Sequence, residues 1–197
     1  MASERHNRRP DDAVLDAARD CVLAVGVRRT TLTDVARRAG VSRMTLYRRW
    51  PDVRTLVGDL MTREWLATAQ AARPPATGPT RPRLVRGLVN GVAALRTHPL
   101  LRKIIEVDPE LLLPYMLDRC GTSQLALLEM IESDLRDGHA DGSIRRDDPR
   151  RQARALLLIV QSFTLSAPTM TDDTDPDLDN AAFDRELEHI LERTLAP

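Results

Sequence analysis

The spacing of the apolar residues limits this chain more than any other feature. Apolar side chains recur at intervals of three and four residues, and no stretch alternates with period two. Buried faces of that kind are made by helices, so strands are not expected. Between 12 and 25, Val14, Leu15, Ala18, Val22 and Val25 share one face, with Asp11 and Asp12 before it and Gly26 behind it. Acids favour the positive end of a helix dipole and glycine stops a helix, which bounds the first element. Thr31-Leu32-Thr33-Asp34 has the capping-box pattern with Asp in the usual Glu position, and it opens a helix to about Ala39. Gly40-Val41 breaks that helix, Ser42 caps a third one ending near Trp50, and Asp52 caps a fourth that buries Leu56, Val57, Leu60, Met61 and Trp65.

The stretch 73–83 holds four prolines and a glycine and reads as a loop. Beyond it, Leu84, Val85, Leu88, Val92 and Leu95 define a helix, and Leu100, Leu101, Ile104 and Ile105 a short one. A long helix is expected over 111–137, with Pro114 in its first turn and Gly121 weakening its middle or permitting a close crossing. In it, Cys120 reads as a small buried residue. Asp148-Pro149 starts the next helix, 149–166, and Phe183, Leu187, Ile190 and Leu191 mark the last, 181–195. The expectation is an all-α chain of about nine helices: a tail over 1–10, a three-helix domain over 11–51, a connecting helix over 52–72, a loop over 73–82 and a larger helical domain over 83–197.

The 29 basic and 29 acidic residues cancel, but residues 1–65 carry 13 arginines against 9 acids, a net of +4. A basic front on an acidic body points to an anionic partner for the front. Phe, Trp and Tyr occur twice each, too few to stack the bases of a single strand. The longest apolar run is the six residues 155–160, too short to cross a bilayer, and no apolar run follows the N-terminal charges. No membrane partner and no secretory leader are expected, and a cytoplasmic location follows. Cys21 and Cys120 make no disulfide framework. His6, His98, His139 and His189 have no ligand spacing, and Pro176 interrupts the acids of 172–179, so no metal is expected. With no phosphate loop and no nucleophile elbow, neither a cofactor nor an enzyme activity is expected. The tail to Pro10 reads either as a disordered terminus or as an arm reaching a DNA minor groove through Arg5, Arg8 and Arg9.

Three short helices with a glycine turn between the second and third have the form of a helix-turn-helix. From Arg28 to Trp50 there are seven arginines and one acid, Asp34. Val41, Leu46 and Trp50 can pack inward, leaving Ser42, Arg43, Thr45, Arg48 and Arg49 outward, a hydroxyl-and-arginine face suited to a major groove. The run from Thr30 to Pro51, Thr-Thr-Leu-Thr-Asp-Val-Ala-Arg-Arg-Ala-Gly-Val-Ser-Arg-Met-Thr-Leu-Tyr-Arg-Arg-Trp-Pro, resembles the DNA-binding signature of TetR-family transcriptional regulators. The match covers about residues 12–66, and the loop 138–149 is similar to the one before that family's penultimate helix.

The resemblance implies phosphate contacts at Thr31 and Tyr47, base-facing positions at Ser42, Arg43, Met44, Thr45 and Arg48, and a backbone contact near Arg49. Two positions depart from the pattern. Met44 stands where a small residue is common, and it either clashes, meets a thymine methyl or packs. Val53 stands where a phosphate-binding Lys is common, with Arg54 adjacent.

The resemblance also implies a homodimer on operator DNA, released by a small-molecule effector. Candidate effector contacts are Met61, Trp65, Leu88, Val92, Tyr115, Met116, Arg119 and Phe163, a mostly apolar set that favours a hydrophobic or amphipathic ligand. Candidate dimer contacts are Leu156, Val160, Phe163, Phe183, Leu187 and Leu191, with packing inside one chain as the competing role. Two other readings remain: a ligand-independent regulator or activator, and a helical interaction module whose helix-turn-helix does not bind DNA.

Overall fold

The computed structural model describes residues 10–197, so Arg5, Arg8 and Arg9 lie outside the described residues. Among these there are ten α-helices, two single 3-10 turns and no strand. In order they are α1 (Pro10–Val25), α2 (Leu32–Ala39), α3 (Arg43–Arg49), α4 (Val53–Ala72), α5 (Thr80–Arg96), α6 (Pro99–Val107), α7 (Leu113–Leu117), α8 (Thr122–Ala140), α9 (Pro149–Leu165) and α10 (Asn180–Leu195). The 3-10 turns are Pro109–Leu111 and Ala167–Thr169.

The chain forms two compact units. The first runs through Glu64 and adds His98–Ser123; the second joins Trp65–Thr97 to Gln124–Pro197. In the first unit α1 packs on α2 and α6, and Val22, Val35, Leu46, Leu56, Leu60, Leu100 and Ile104 are buried. Arg63 and Glu64 of α4 tie back to α1, through Asp16 at 3.0 Å and Arg19 at 3.3 Å. In the second unit α5 packs on α9 and α10 around Val85, Leu135, Leu156, Leu187, Leu191 and Leu195. Each fully buried Leu contributes about 1.5–3 kcal/mol relative to an exposed one.

Three local expectations are corrected. The single helix over 111–137 is instead a 3-10 turn, α7 and α8. Pro114 does sit in a first turn, but that of the five-residue α7. The backbone N–H groups of both Asp118 and Arg119 converge on the Pro114 carbonyl and end it, leaving Gly121 at the break. Cys120 therefore lies in an exposed turn rather than inside a helix. At its other end α8 runs through Gly138 to Ala140, and the glycine is needed because a Cβ at 138 would overlap the Ile144 side chain packed there. Gly138 serves a close approach within a helix, not a loop.

Helix α5 also starts earlier than its apolar pattern suggests, at Thr80. No neighbouring side chain caps it. Asp141 does so from 61 residues away, accepting from the Thr80 N–H at 2.8 Å and the Thr80 hydroxyl at 2.7 Å. Pro82 is tolerated because it falls in the first turn. Other starts follow local rules: Asp148 accepts from Arg150 and Arg151 N–H with Pro149 behind it, and Asp179 accepts from Ala182 N–H.

Candidate nucleic-acid interface

The interface is built on two caps. Thr31 Oγ1 accepts from the Asp34 N–H at 3.1 Å and donates to Asp34 Oδ2 at 2.6 Å, so the shorter acid closes the capping box through the hydroxyl. Arg37 Nη2 lies 2.8 Å from Asp34 Oδ1 and neutralises it. Gly40 ends α2 in the left-handed region, φ +68°, and the Val41 N–H returns to the Ala36 carbonyl at 3.1 Å. That geometry turns the chain sharply, and a residue with a Cβ adopts it at a cost. Ser42 then caps α3, its Oγ accepting from the Thr45 N–H at 3.1 Å and lying 2.8 Å from Thr45 Oγ1.

The pitch of α3 sorts its residues. Leu46 and Trp50 point into the core, 1% and 2% exposed. Trp50 is fixed further by its indole N–H, which donates to Asp59 Oδ2 at 2.8 Å. Ser42, Arg43, Met44, Thr45, Tyr47, Arg48 and Arg49 are all exposed, as is Thr31 at the start of α2. Met44 is 79% exposed, so in the free protein it does not pack. Arg49 stacks over the Trp50 ring at 5.3 Å and faces Asp11 at 3.6 Å, whereas Arg43 and Arg48 have no ion pair with a described residue. Two guanidiniums without a partner among the described residues thus stand on a seven-residue helix capped at both ends. At the head of α4, Asp52 accepts from the Thr55 N–H and hydroxyl, and these bonds hold its carboxyl below the usual range. Val53 is half-buried and Arg54 exposed.

A buried acid distant in sequence holds the turn ahead of this platform. Asp108, fully buried, accepts from the Val27 N–H at 2.7 Å in the turn between α1 and α2. Arg28 lies 3.7 Å from its other oxygen and 2.5 Å from Glu110. No local pattern signals a bond between residues 81 apart.

In the second unit a cavity of about 100 Å³ opens between α5, α8, α9 and the end of α4. Leu88 and Val92 line it, and so does Val160. Trp65 and Phe163 belong to this unit without lining that cavity; the Phe163 ring sits 6.4 Å from Phe183. Met61, Tyr115, Met116 and Arg119 fall in the first unit, where Arg119 covers the Tyr115 ring at 5.7 Å. Tyr115 and Met116 lie on α7 and are not among the residues that line the cavity. Of the dimer candidates, Leu156, Leu187 and Leu191 are consumed by the chain's own core, while Val160, Phe163 and Phe183 are half-buried. Sequence reasoning passed over Leu158, 69% exposed on α9. Among the described residues no His, Cys, Asp and Glu cluster could hold a metal, and no helix is long and apolar enough to cross a membrane.

Residues 14–60 match the family model for bacterial regulatory proteins of the tetR family. The chain is 40% identical over 178 residues, 90% of each chain, to an uncharacterized HTH-type transcriptional regulator of Mycobacterium tuberculosis. The chain belongs to the TetR family. This TetR-family protein is thus a transcriptional regulator with a DNA-binding helix-turn-helix, and its family is not one of enzymes. The fold of the regulator is similar to that of the TetR-family repressor QsdR of R. erythropolis, with a TM-score of 0.70 at 18% identity over 95% of this chain and 96% of that one. It is also similar to SmeT in its triclosan complex, with a TM-score of 0.62 at 21% identity over 96% and 93%.

Proposed function

We propose that the protein is a homodimeric repressor that leaves its operator when a small hydrophobic or amphipathic ligand enters the second unit. The observation that carries the DNA-binding part is α3, capped by Ser42 and anchored by Leu46 and Trp50, with Arg43 and Arg48 exposed and without an ion pair among the described residues. Arg43 or Arg48 bridges the two acceptors of a guanine, Ser42 and Thr45 read neighbouring edges, and Met44 meets a thymine methyl. Thr31, Tyr47 and Arg49 hold phosphates, and Arg54 takes the role that Val53 leaves open. Residues 11–51 bind DNA, 52–72 connect and the loop 73–82 leads into the effector and dimerisation region, 83–197. The work is done at the chromosome, in the cytoplasm.

One α3 reads one half-site, and a two-fold partner supplies the second about 34–36 Å away along the duplex. The pairing surface is the exposed side of α9 with Leu158 at its centre, flanked by Phe163 and by Phe183 of α10. The ligand acts by favouring a conformation in which the two α3 helices no longer match successive grooves. A coupling of about 1–3 kcal/mol gives roughly 5–150-fold release. Two likenesses support this reading: QsdR is a repressor, and SmeT binds triclosan.

The test is fluorescence anisotropy with DNA from just upstream of the coding region, across a salt series and against scrambled competitor. Tight binding at two protomers per site that falls steeply with salt is the expected result. Weak binding that treats scrambled DNA alike at every upstream site would sink the reading.

A further inference from the structure

We propose that the cavity of the second unit takes an amphiphile with an anionic head, gripped by Arg83, and an apolar chain lying along α5 and α9. This rests on the effector reading above and names the ligand's chemistry.

The cavity is sorted by polarity along its length. Thr80 at the start of α5 bonds Asp141 just past the end of α8, so these two helices run in opposite directions. Gln124 near the start of α8 bonds Gln161 late in α9, so α8 and α9 are also opposed. One end of the cavity therefore gathers Arg73, Thr80, Arg83 and Asp134, and the rest is walled by apolar residues such as Val92, Leu95, Leu127 and Val160. Thr164, at the apolar end, donates its hydroxyl to the Val160 carbonyl at 2.7 Å.

At the polar end every group but one has a partner. Arg73 and Asp134 pair at 2.5 Å and cancel, and Thr80 is held by Asp141. Arg83 has no ion pair with a described residue, and its Nε–H is shielded from solvent without a hydrogen-bond partner. What remains is one positive charge and one unused donor at the head of an apolar slot. A buried donor is disfavoured until something accepts from it, and a carboxylate matches the guanidinium fork with two parallel bonds. An ammonium head would face the Arg83 charge, and an alcohol would leave it uncompensated.

The test uses the full chain and three probes of equal length, decanoate, decanol and decylamine, each below its aggregation threshold. Thermal shift and calorimetry read the binding. Decanoate is expected to bind at least about tenfold tighter than decanol, with decylamine weakest. Arg83→Met, checked for fold by circular dichroism, brings decanoate down to the decanol level, and Arg83→Lys keeps part of the preference. Decanol or decylamine binding wild type as well as decanoate would overturn the anionic head, as would Arg83→Met binding decanoate unchanged. Val160→Trp, which fills the slot, separates the two layers. Binding regardless of head group that Val160→Trp abolishes keeps the effector site and rejects the head. Absence of binding by all three probes, with Val160→Trp melting like wild type in their presence, sinks the proposal and the effector reading together. The head-group comparison on wild type needs no variant to fold.

Discussion

Asp108 shows how one buried residue can fix the turn that leads into the helix-turn-helix. Its carboxylate is sealed in the first unit and takes the Val27 N–H just ahead of α2. Removing a buried acceptor leaves its donor unpaired, at a cost of about 1–3 kcal/mol. Asp108→Ala should therefore lower the unfolding free energy by that amount in urea titrations, and Asp108→Asn by less because it keeps an acceptor. Arg48 is the opposite kind of residue, exposed and without an ion pair among the described residues. Arg48→Ala should cost about 1–3 kcal/mol on the specific operator and less on scrambled DNA. Equal losses on both would make it a phosphate contact. The exposed face of α3 was legible in the sequence because helical pitch puts Arg48 on the side opposite Leu46. Asp108 was not, because its partner lies on another element.

At the scale of elements, the turn between α8 and α9 concentrates acids that act only when ionised. Asp141 is held well below the ordinary carboxylate range, first by the Ser143 hydroxyl and then by Thr80. Asp147 is lowered to about 2, mainly by Arg145, and Asp148 is lowered chiefly by the Arg151 N–H. A carboxyl whose folded pKa is depressed contributes stability above its unfolded value, about 4, and loses it as pH falls through the folded value. Melting temperatures should thus hold down to about pH 4 and drop between there and pH 2, and Asp141→Asn should flatten that drop. The helix Gly138 sits in makes a separate prediction. Gly138→Ala presses a methyl into Ile144 and should cost about 1–3 kcal/mol despite better helix propensity. Most helices were readable from spacing and caps. The start of α5 and the break before α8 were not, since Asp141 supplies a cap from afar and the two N–H groups that converge on the Pro114 carbonyl decide where α7 ends.

For the whole molecule, the proposed function depends on a second copy. Leu158→Glu places a charge at the centre of the proposed pairing surface and should leave the fold intact, since Leu158 is 69% exposed. Sedimentation velocity should then show a monomer, and operator binding should weaken steeply while scrambled-DNA binding changes little. A dimer that survives the substitution would move the pairing surface elsewhere. The grouping of residues 98–123 with the first unit is also a property of this scale, because α6 packs on α1 from beyond the proline-rich loop.

The sequence by itself determined the all-helical class, the helix-turn-helix and the side of α3 that faces outward. Those follow from period, caps and a glycine turn, all of which act over a few residues. Tertiary structure alone decided which apolar residues are core and which line a cavity, since Leu156 and Val160 share one pattern and one helix yet only the second reaches the opening. It also decided that Asp141 caps α5, that Asp108 holds the turn before α2 and that Arg83 is left without a partner among the described residues. Each of these depends on what another element brings within hydrogen-bond reach, and residues 61 or 81 apart carry no local trace of that meeting.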